Sequence, residues 1–173
     1  MQHLAVTAIE DELQDEAPQV VSDILDAGMV VWMLTGDKEE TAVQIGYSAN
    51  VIPPHATVCF ITKADSAYSF NEALDTVRAS LGLGVEADTG NDLDTEKTFA
   101  VTIVIDGLSF RHMQKNNPAV RAKLLEVFRV CTSVVACRLT PAQKQSMVKL
   151  VKTDPLRPLF GGTGGATLSI NKI

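Results

Sequence analysis

The chain is short of the features that mark secreted, membrane-spanning or nucleic-acid-binding proteins. Aromatic residues make up 5% of its 173 positions, with a single tryptophan. Its three cysteines, Cys59, Cys131 and Cys137, form no CxxC pair and sit in apolar runs. They read as small buried hydrophobes in a reducing compartment, not as a disulfide framework or a metal site. No apolar run reaches about 18 residues, and no basic-then-apolar leader opens the chain, so nothing targets or spans a membrane and a cytosolic location is expected. Positive charge is also scarce: 15 basic against 21 acidic residues give a net charge of −6. No basic stripe with interleaved aromatics is visible, and a nucleic-acid partner is not expected. What is present, 46% hydrophobic and 21% charged residues, suits one ordinary globular domain with a real core and hardly two.

The strongest local signal runs from Val30 to Ala42. The apolar run at 29–34 predicts a strand buried on both faces, as in a parallel sheet, and a helix follows over about 38–48. Thr35-Gly36-Asp37 lies at the junction. The carboxyl end of a strand feeding a helix amino terminus is where open α/β sheets bind ligands, because unpaired backbone N–H groups point outward there. Thr35 offers a hydroxyl, Gly36 allows close backbone approach, and Asp37 brings a carboxylate, a set suited to a phosphoryl group and its metal. The same three residues also make an ordinary capped turn, so two readings stand on spacing alone.

In chain order, residues 1–8 suggest a short strand. A helix is expected from 15 or 16 to 27, with Pro18 in its first turn, acids at its start and Gly28 just past its end. Val51-Ile52-Pro53-Pro54 stops the next helix. A short strand is expected at 57–61. Ala67, Phe70, Leu74, Val77 and Leu81 then fall at helical spacing. The stretch 82–98 exchanges this period for glycine and acids and reads as an acidic surface loop, without the residue order of a calcium loop. A strong strand at 99–105 ends in Asp106-Gly107, which reads as a tight turn into a second short strand at 108–110. An aspartate there is also the nucleophile position of haloacid dehalogenase-class phosphotransferases, but the second aspartate and the Gly-Thr that those enzymes carry are absent. Asn117-Pro118 opens another helix, and a strand is expected at 130–137. Thr140-Pro141-Ala142-Gln143 carries three agreeing helix-start signals: a threonine N-cap, a proline at N1 and a glutamine at N3. Lys144, in the first turn, opposes the helix dipole; it is either a solvated surface lysine or the neighbour of a bound anion. Residues 154–166 read as a Pro/Gly-rich linker before a last short strand at 167–170. Its glycine run, 161–165, lacks the lysine and helix of a P-loop.

Four stretches in order carry a resemblance. Thr7-Ala8-Ile9-Glu10-Asp11-x-Leu13-Gln14 comes first, then Trp32-x-Leu34-Thr35-Gly36-Asp37-Lys38-x-Glu40-Thr41-Ala42 with Ile45-Gly46-Tyr47-Ser48. Val104-Ile105-Asp106-Gly107 and Cys137-Arg138-Leu139-Thr140-Pro141-x-Gln143-Lys144 follow. Together they closely resemble the phosphorylation domain of P-type ATPases and, within that superfamily, the type IV members, the lipid flippases. The resemblance implies an α/β, haloacid dehalogenase-like Rossmannoid three-layer fold with a mostly parallel sheet. It implies phosphoryl transfer from ATP, with Mg2+, to an aspartate. It places Thr35, Gly36 and Asp37 on the phosphoryl group and nucleotide, Arg138 and Lys144 beside them, and Asp11 on the hinge side near the nucleotide. Lys144 takes the catalytic role, its ammonium offsetting charge that builds up during transfer.

Two departures shape the expected function. The nucleophile motif Asp-Lys-Thr-Gly-Thr is absent, and the last strand runs into Asn171-Lys172-Ile173 instead of Gly-Asp-Gly-x-Asn-Asp, so no metal ligand is assigned. The expectation is a partial phosphorylation domain over 1–173, a fragment of an ATP-driven phospholipid-translocating ATPase and inactive in isolation. Its partners would be ATP and the nucleotide-binding, actuator and membrane domains of a parent membrane protein whose cytosolic side it occupies. The alternatives are a stand-alone nucleotide- or partner-binding module, or a phosphatase of the same fold. Loss of the central nucleophile strand would leave two unpaired edges, at 29–34 and 167–170. Either those strands close against each other, or a second chain fills the gap, which admits a homo-oligomer.

Overall fold

The computed structural model describes residues 5–7, 13–83, 100–113, 117–154 and 168–170. In chain order it forms α1 (Ala17–Asp26), β1 (Val31–Leu34), α2 (Glu39–Ser48), β2 (Thr57–Ile61), α3 (Ala67–Ser80) and β3 (Val101–Asp106). Then come α4 (Gly107–Met113), α5 (Pro118–Val130), β4 (Ser133–Cys137), α6 (Pro141–Lys152) and β5 (Leu168–Ile170). The five strands make one sheet in the order β2-β3-β4-β1-β5, with every pairing parallel. This is the expected α/β three-layer architecture.

Continuous apolar runs become interior strands because both faces are covered. β1, β3 and β4 are buried at every position, whereas the edge strand β2 alternates in exposure. Period-two side-chain alternation divides the core. Val31 and Met33 face a cluster with α1 and α2 that includes Val21 and Ala42. Trp32 and Leu34 face the larger cluster with α3 to α6, built on Phe70, Leu74, Phe110, Leu124, Phe128 and Met147. Trp32 meets Phe128 edge-on, with ring centroids 4.8 Å apart, a geometry favoured by the ring quadrupoles.

Parallel register sets the ends of the strands side by side. Leu34 pairs with Ala136, and Asp106 pairs with Cys137. The three loops that leave β1, β3 and β4 therefore emerge together at one edge of the sheet. β5 joins the far side of β1, with Val31 opposite Leu168 and Met33 opposite Ile170. Of the two arrangements expected for a sheet lacking the nucleophile strand, the first is found: the flanking strands pair with each other.

Several expectations need correction. Residues 108–110 are not a second strand but the middle of α4. β3 is already paired in parallel on both sides, by β2 and β4, so no hairpin partner has a place. The Asp106 carboxyl instead accepts the Ser109 N–H at 2.9 Å and starts a helix that buries Phe110 and Met113. Val130 closes α5, and β4 starts only at Ser133. The acids before α1 lie outside its first turn, and Glu16 at the N-cap takes a left-handed φ of 67° with no side-chain cap. Residues 5–7 are irregular and exposed, while the rest of the strand expected over 1–8 lies outside the described residues. So does most of 82–98, of which Gly82 and Leu83 close α3. Asp154, the first residue of the expected linker, is buried and held by two hydrogen bonds from Arg129, at 2.8 and 2.5 Å. The remainder of that stretch is outside the described residues.

Candidate functional site

β1 ends in the turn Thr35-Gly36-Asp37. The Thr35 N–H extends the ladder by donating to the Ala136 carbonyl at 2.8 Å, which buries the residue. Its hydroxyl donates to Asp37 Oδ2 at 2.6 Å and accepts the Asp37 N–H at 3.1 Å. The threonine therefore shapes the turn from beneath. Gly36 is exposed, and a side chain there would meet nothing closer than the Leu139 carbonyl oxygen, at 3.8 Å. Lys38 caps α2 in extended backbone without a side-chain cap bond, and Glu39 and Glu40 occupy the first turn of that helix.

The loop after β4 is bonded directly to this turn. Arg138 takes a left-handed φ of 51°. Its N–H donates to the Asp37 carbonyl at 2.8 Å, and the Leu139 N–H donates to the Thr35 carbonyl at 3.0 Å. Thr140 then starts α6 through a reciprocal capping box with Gln143, and Lys144 lies half-buried just beyond it. The fold thus joins Thr35, Gly36, Asp37 and exposed Arg138 into one interlocked pair of loops, with Lys144 about one helical turn away. Asp11 lies outside the described residues.

Sequence reasoning missed two contributors. The Gln143 amide Nε2 donates to the Gly107 carbonyl at 2.6 Å, reaching across to the end of β3. Gly107 packs so close to the Arg138 carbonyl that a Cβ atom would lie well inside van der Waals contact. The signal for both was the Asp106-Gly107 pair, which a hairpin explains equally well from sequence. Asp106 itself is buried, with Oδ1 accepting from Ser109 N–H and Oδ2 from Lys63 N–H at 3.3 Å. Beneath the edge, burial first, then the carboxylates of Asp106 and Glu39, push the buried Cys137 thiol up to about 12.

The described residues suit a phosphate better than a metal. Backbone N–H groups, Arg138 and Lys144 offer donors and positive charge. Among the described residues no group of three His, Cys, Asp or Glu side chains is placed to hold an ion, and Asp37 is the only carboxylate in the turn. Magnesium usually takes one or two carboxylates together with phosphate oxygens and water, and Asp37 is the carboxylate that this turn could offer it. A cleft of about 660 Å³ lies elsewhere, between α4, α5 and α6, lined in part by Met113, Arg121, Lys149 and Leu150. None of the residues expected at the phosphate site lines it. The chemistry of the donor set, not the size of the hollow, identifies the candidate site.

No protein-family model matches the chain. Curated proteins do: the chain is 37% identical over 153 residues, 88% of its length, to "Probable phospholipid-transporting ATPase DNF3" of Saccharomyces cerevisiae. It is 34% identical over 94% of its length to "Phospholipid-transporting ATPase 2" of Arabidopsis thaliana, and 33% identical over 88% to "Phospholipid-transporting ATPase ID" of Homo sapiens. The chain belongs to the phospholipid-transporting (type IV P-type) ATPases. It corresponds to a segment of these proteins, spanning 8% of the yeast relative and 14% of the plant and human ones. Its all-parallel sheet with helices on both faces agrees with the haloacid dehalogenase-like domain expected of the family. Among the described residues no helix is long and apolar enough to cross a membrane.

Proposed function

We propose that this chain supplies the nucleotide- and phosphoryl-contacting half of the phosphorylation site of an ATP-driven phospholipid-translocating ATPase, on the cytosolic side of a membrane protein. The observation that carries the proposal is the interlock of the two loops through Arg138 N–H to Asp37 and Leu139 N–H to Thr35. It presents an anion-receptive turn and a cationic helix start as one surface. In this reading Gly36 admits the phosphoryl oxygens to the backbone, while the Thr35 hydroxyl holds the Asp37 carboxylate in place. Arg138 and Lys144 offset negative charge as it builds on the transferred group, the dominant contribution in phosphoryl transfer. Mg2+ would accompany the nucleotide with further ligands from outside the described residues. The nucleophile belongs to a motif that these 173 residues do not contain, so the isolated chain is expected to form no acid-stable phosphoenzyme.

The test is a titration of the isotopically labelled chain with ATP, followed by amide resonances. Movement of Gly36, Asp37, Arg138 and Lys144 with one dissociation constant is expected. Shifts confined to the cleft between α4, α5 and α6, or no shift at these four amides, would overturn the assignment. A second reading, a stand-alone nucleotide-binding module, is favoured by one observation: β5 pairs with β1 and closes the sheet without a nucleophile strand. Tight, saturable ATP binding by the chain alone would select that reading, and weak binding would select the half-site.

A further inference from the structure

Gln143 does two jobs with one amide group. Its Oε1 accepts the Thr140 N–H at 2.9 Å and the Thr140 hydroxyl at 3.1 Å, and its own N–H donates back to that hydroxyl at 3.3 Å. That is a capping box, which glutamate serves as well as glutamine. The second job requires glutamine. Nε2 donates to the Gly107 carbonyl at 2.6 Å, across 36 residues of sequence, and a carboxylate has no proton to give there.

The partner surface is equally specific. Gly107 lies against the Arg138 carbonyl and Gln143 Oε1, where no side chain fits. Arg138 is therefore held from two sides. Its N–H is fixed by the Asp37 carbonyl on the β1 side, and its carbonyl abuts Gly107 on the β3 side. Its left-handed backbone, rarely adopted by a residue with a side chain, persists because both neighbours determine it.

We propose that Gln143 and Gly107 are positioning residues: together they clamp the amino end of α6, and so set Arg138 and Lys144 in register with the Thr35–Asp37 turn. The proposal rests on the phosphoryl-site reading for its purpose, but the clamp itself is a property of the free chain. A small displacement of α6 would carry both cationic groups away from the turn, and phosphoryl chemistry is sensitive to misplacement of about 1 Å.

Two variants test it by amide hydrogen exchange and by titration with inorganic phosphate. Gln143→Glu keeps the capping acceptor and suits the helix dipole, but it loses the donor and sets oxygen against oxygen at Gly107. Gln143→Met is uncharged and loses both functions. If Gln143 only capped α6, Gln143→Glu would leave exchange unchanged or slower. The clamp requires that both variants speed exchange of the Arg138 and Leu139 amides by about tenfold relative to Ile103 and Val134 in the core strands, roughly the net effect of one hydrogen bond. Unchanged exchange in Gln143→Glu would overturn the clamp. Phosphate binding should weaken severalfold in Gln143→Met, with the Lys144 amide losing its common titration with Gly36 and Asp37. Altered exchange with undiminished phosphate affinity would overturn the positioning role. Faster exchange in both variants, with no phosphate response even in the unsubstituted chain, would uphold the clamp and reject the phosphoryl-site reading.

Discussion

Two strands, β1 and β3, end alike: an apolar run, a glycine beside an aspartate, then a helix. Their junctions lie at the same edge of the sheet, on either side of the loop after β4, yet they do opposite things. At β1 the glycine is exposed and the aspartate half-exposed, with its carboxylate held, among the described residues, by the neighbouring Thr35 hydroxyl. At β3 the glycine is buried against Arg138, and both oxygens of the aspartate accept backbone N–H groups, one from α4 and one from Lys63. The first junction has binding capacity left over, and the second has spent its own on structure. An aspartate after a strand therefore signals a phosphoryl site only where its oxygens are not already used to satisfy buried donors.

The glycines give the largest test of this contrast. Gly107→Ala puts a methyl group into the Arg138 carbonyl, backbone against backbone, where neither side yields easily. A loss of about 3 kcal/mol is expected, at the upper end for overpacking. Gly36→Ala meets only ordinary contact and should cost under about 1 kcal/mol. Urea unfolding of the two variants checks both. Equal losses would mean that the two junctions are packed alike.

How far this was legible beforehand follows the same division. The β1 junction could be read because its evidence is local: a doubly buried apolar run, then Thr-Gly-Asp, then a helix period. The start of α6 was readable for the same reason, since Thr140, Pro141 and Gln143 are a cap written into four residues. The β3 junction was misread because Asp-Gly is also a strong hairpin signal. Only the parallel neighbours β2 and β4, which local sequence does not display, exclude a returning strand. From sequence Gln143 is a cap and nothing more, because its second hydrogen bond joins positions far apart in the chain. Asp11 is placed by its match to family sequence alone and lies outside the described residues.

The aspartates give the next largest effect. Asp106→Ala leaves the buried Ser109 N–H and the part-buried Lys63 N–H without their acceptor. Unsatisfied buried donors cost about 1–3 kcal/mol each, so a loss of about 2 kcal/mol in thermal or urea unfolding is expected after partial rearrangement. Asp37→Ala removes one exposed-side hydrogen bond and should cost under about 1 kcal/mol. Its effect belongs to binding instead: the ATP-dependent shifts at Gly36 and Arg138 should change, whereas Asp106→Ala, where it remains folded, should preserve them. The reverse pattern would exchange the roles assigned to the two junctions.

The finest probe is Cys137, which lies between the junctions and feels a carboxylate from each. Burial is the main reason that its thiol is pushed up to about 12 from 9.0, and the charges of Asp106 and Glu39, at the first position of α2, add to it. Cys131 is pushed up to about 12 by burial without either carboxylate, so it serves as an internal reference. Because the folded thiols hold their protons above the unfolded value, the stability they contribute is fully present below about pH 9. It is lost as pH rises through about 12. In the native range, Asp106→Asn and Glu39→Gln should each raise alkaline labelling of Cys137 relative to Cys131, Asp106→Asn by more. Global unfolding exposes both thiols together and adds equally to both rates, so it is measured separately and subtracted before the ratio is taken. An unchanged ratio in Asp106→Asn would mean that the β3 carboxylate does not act on the floor shared by the two junctions, and that the β1 junction can be altered without regard to its neighbour.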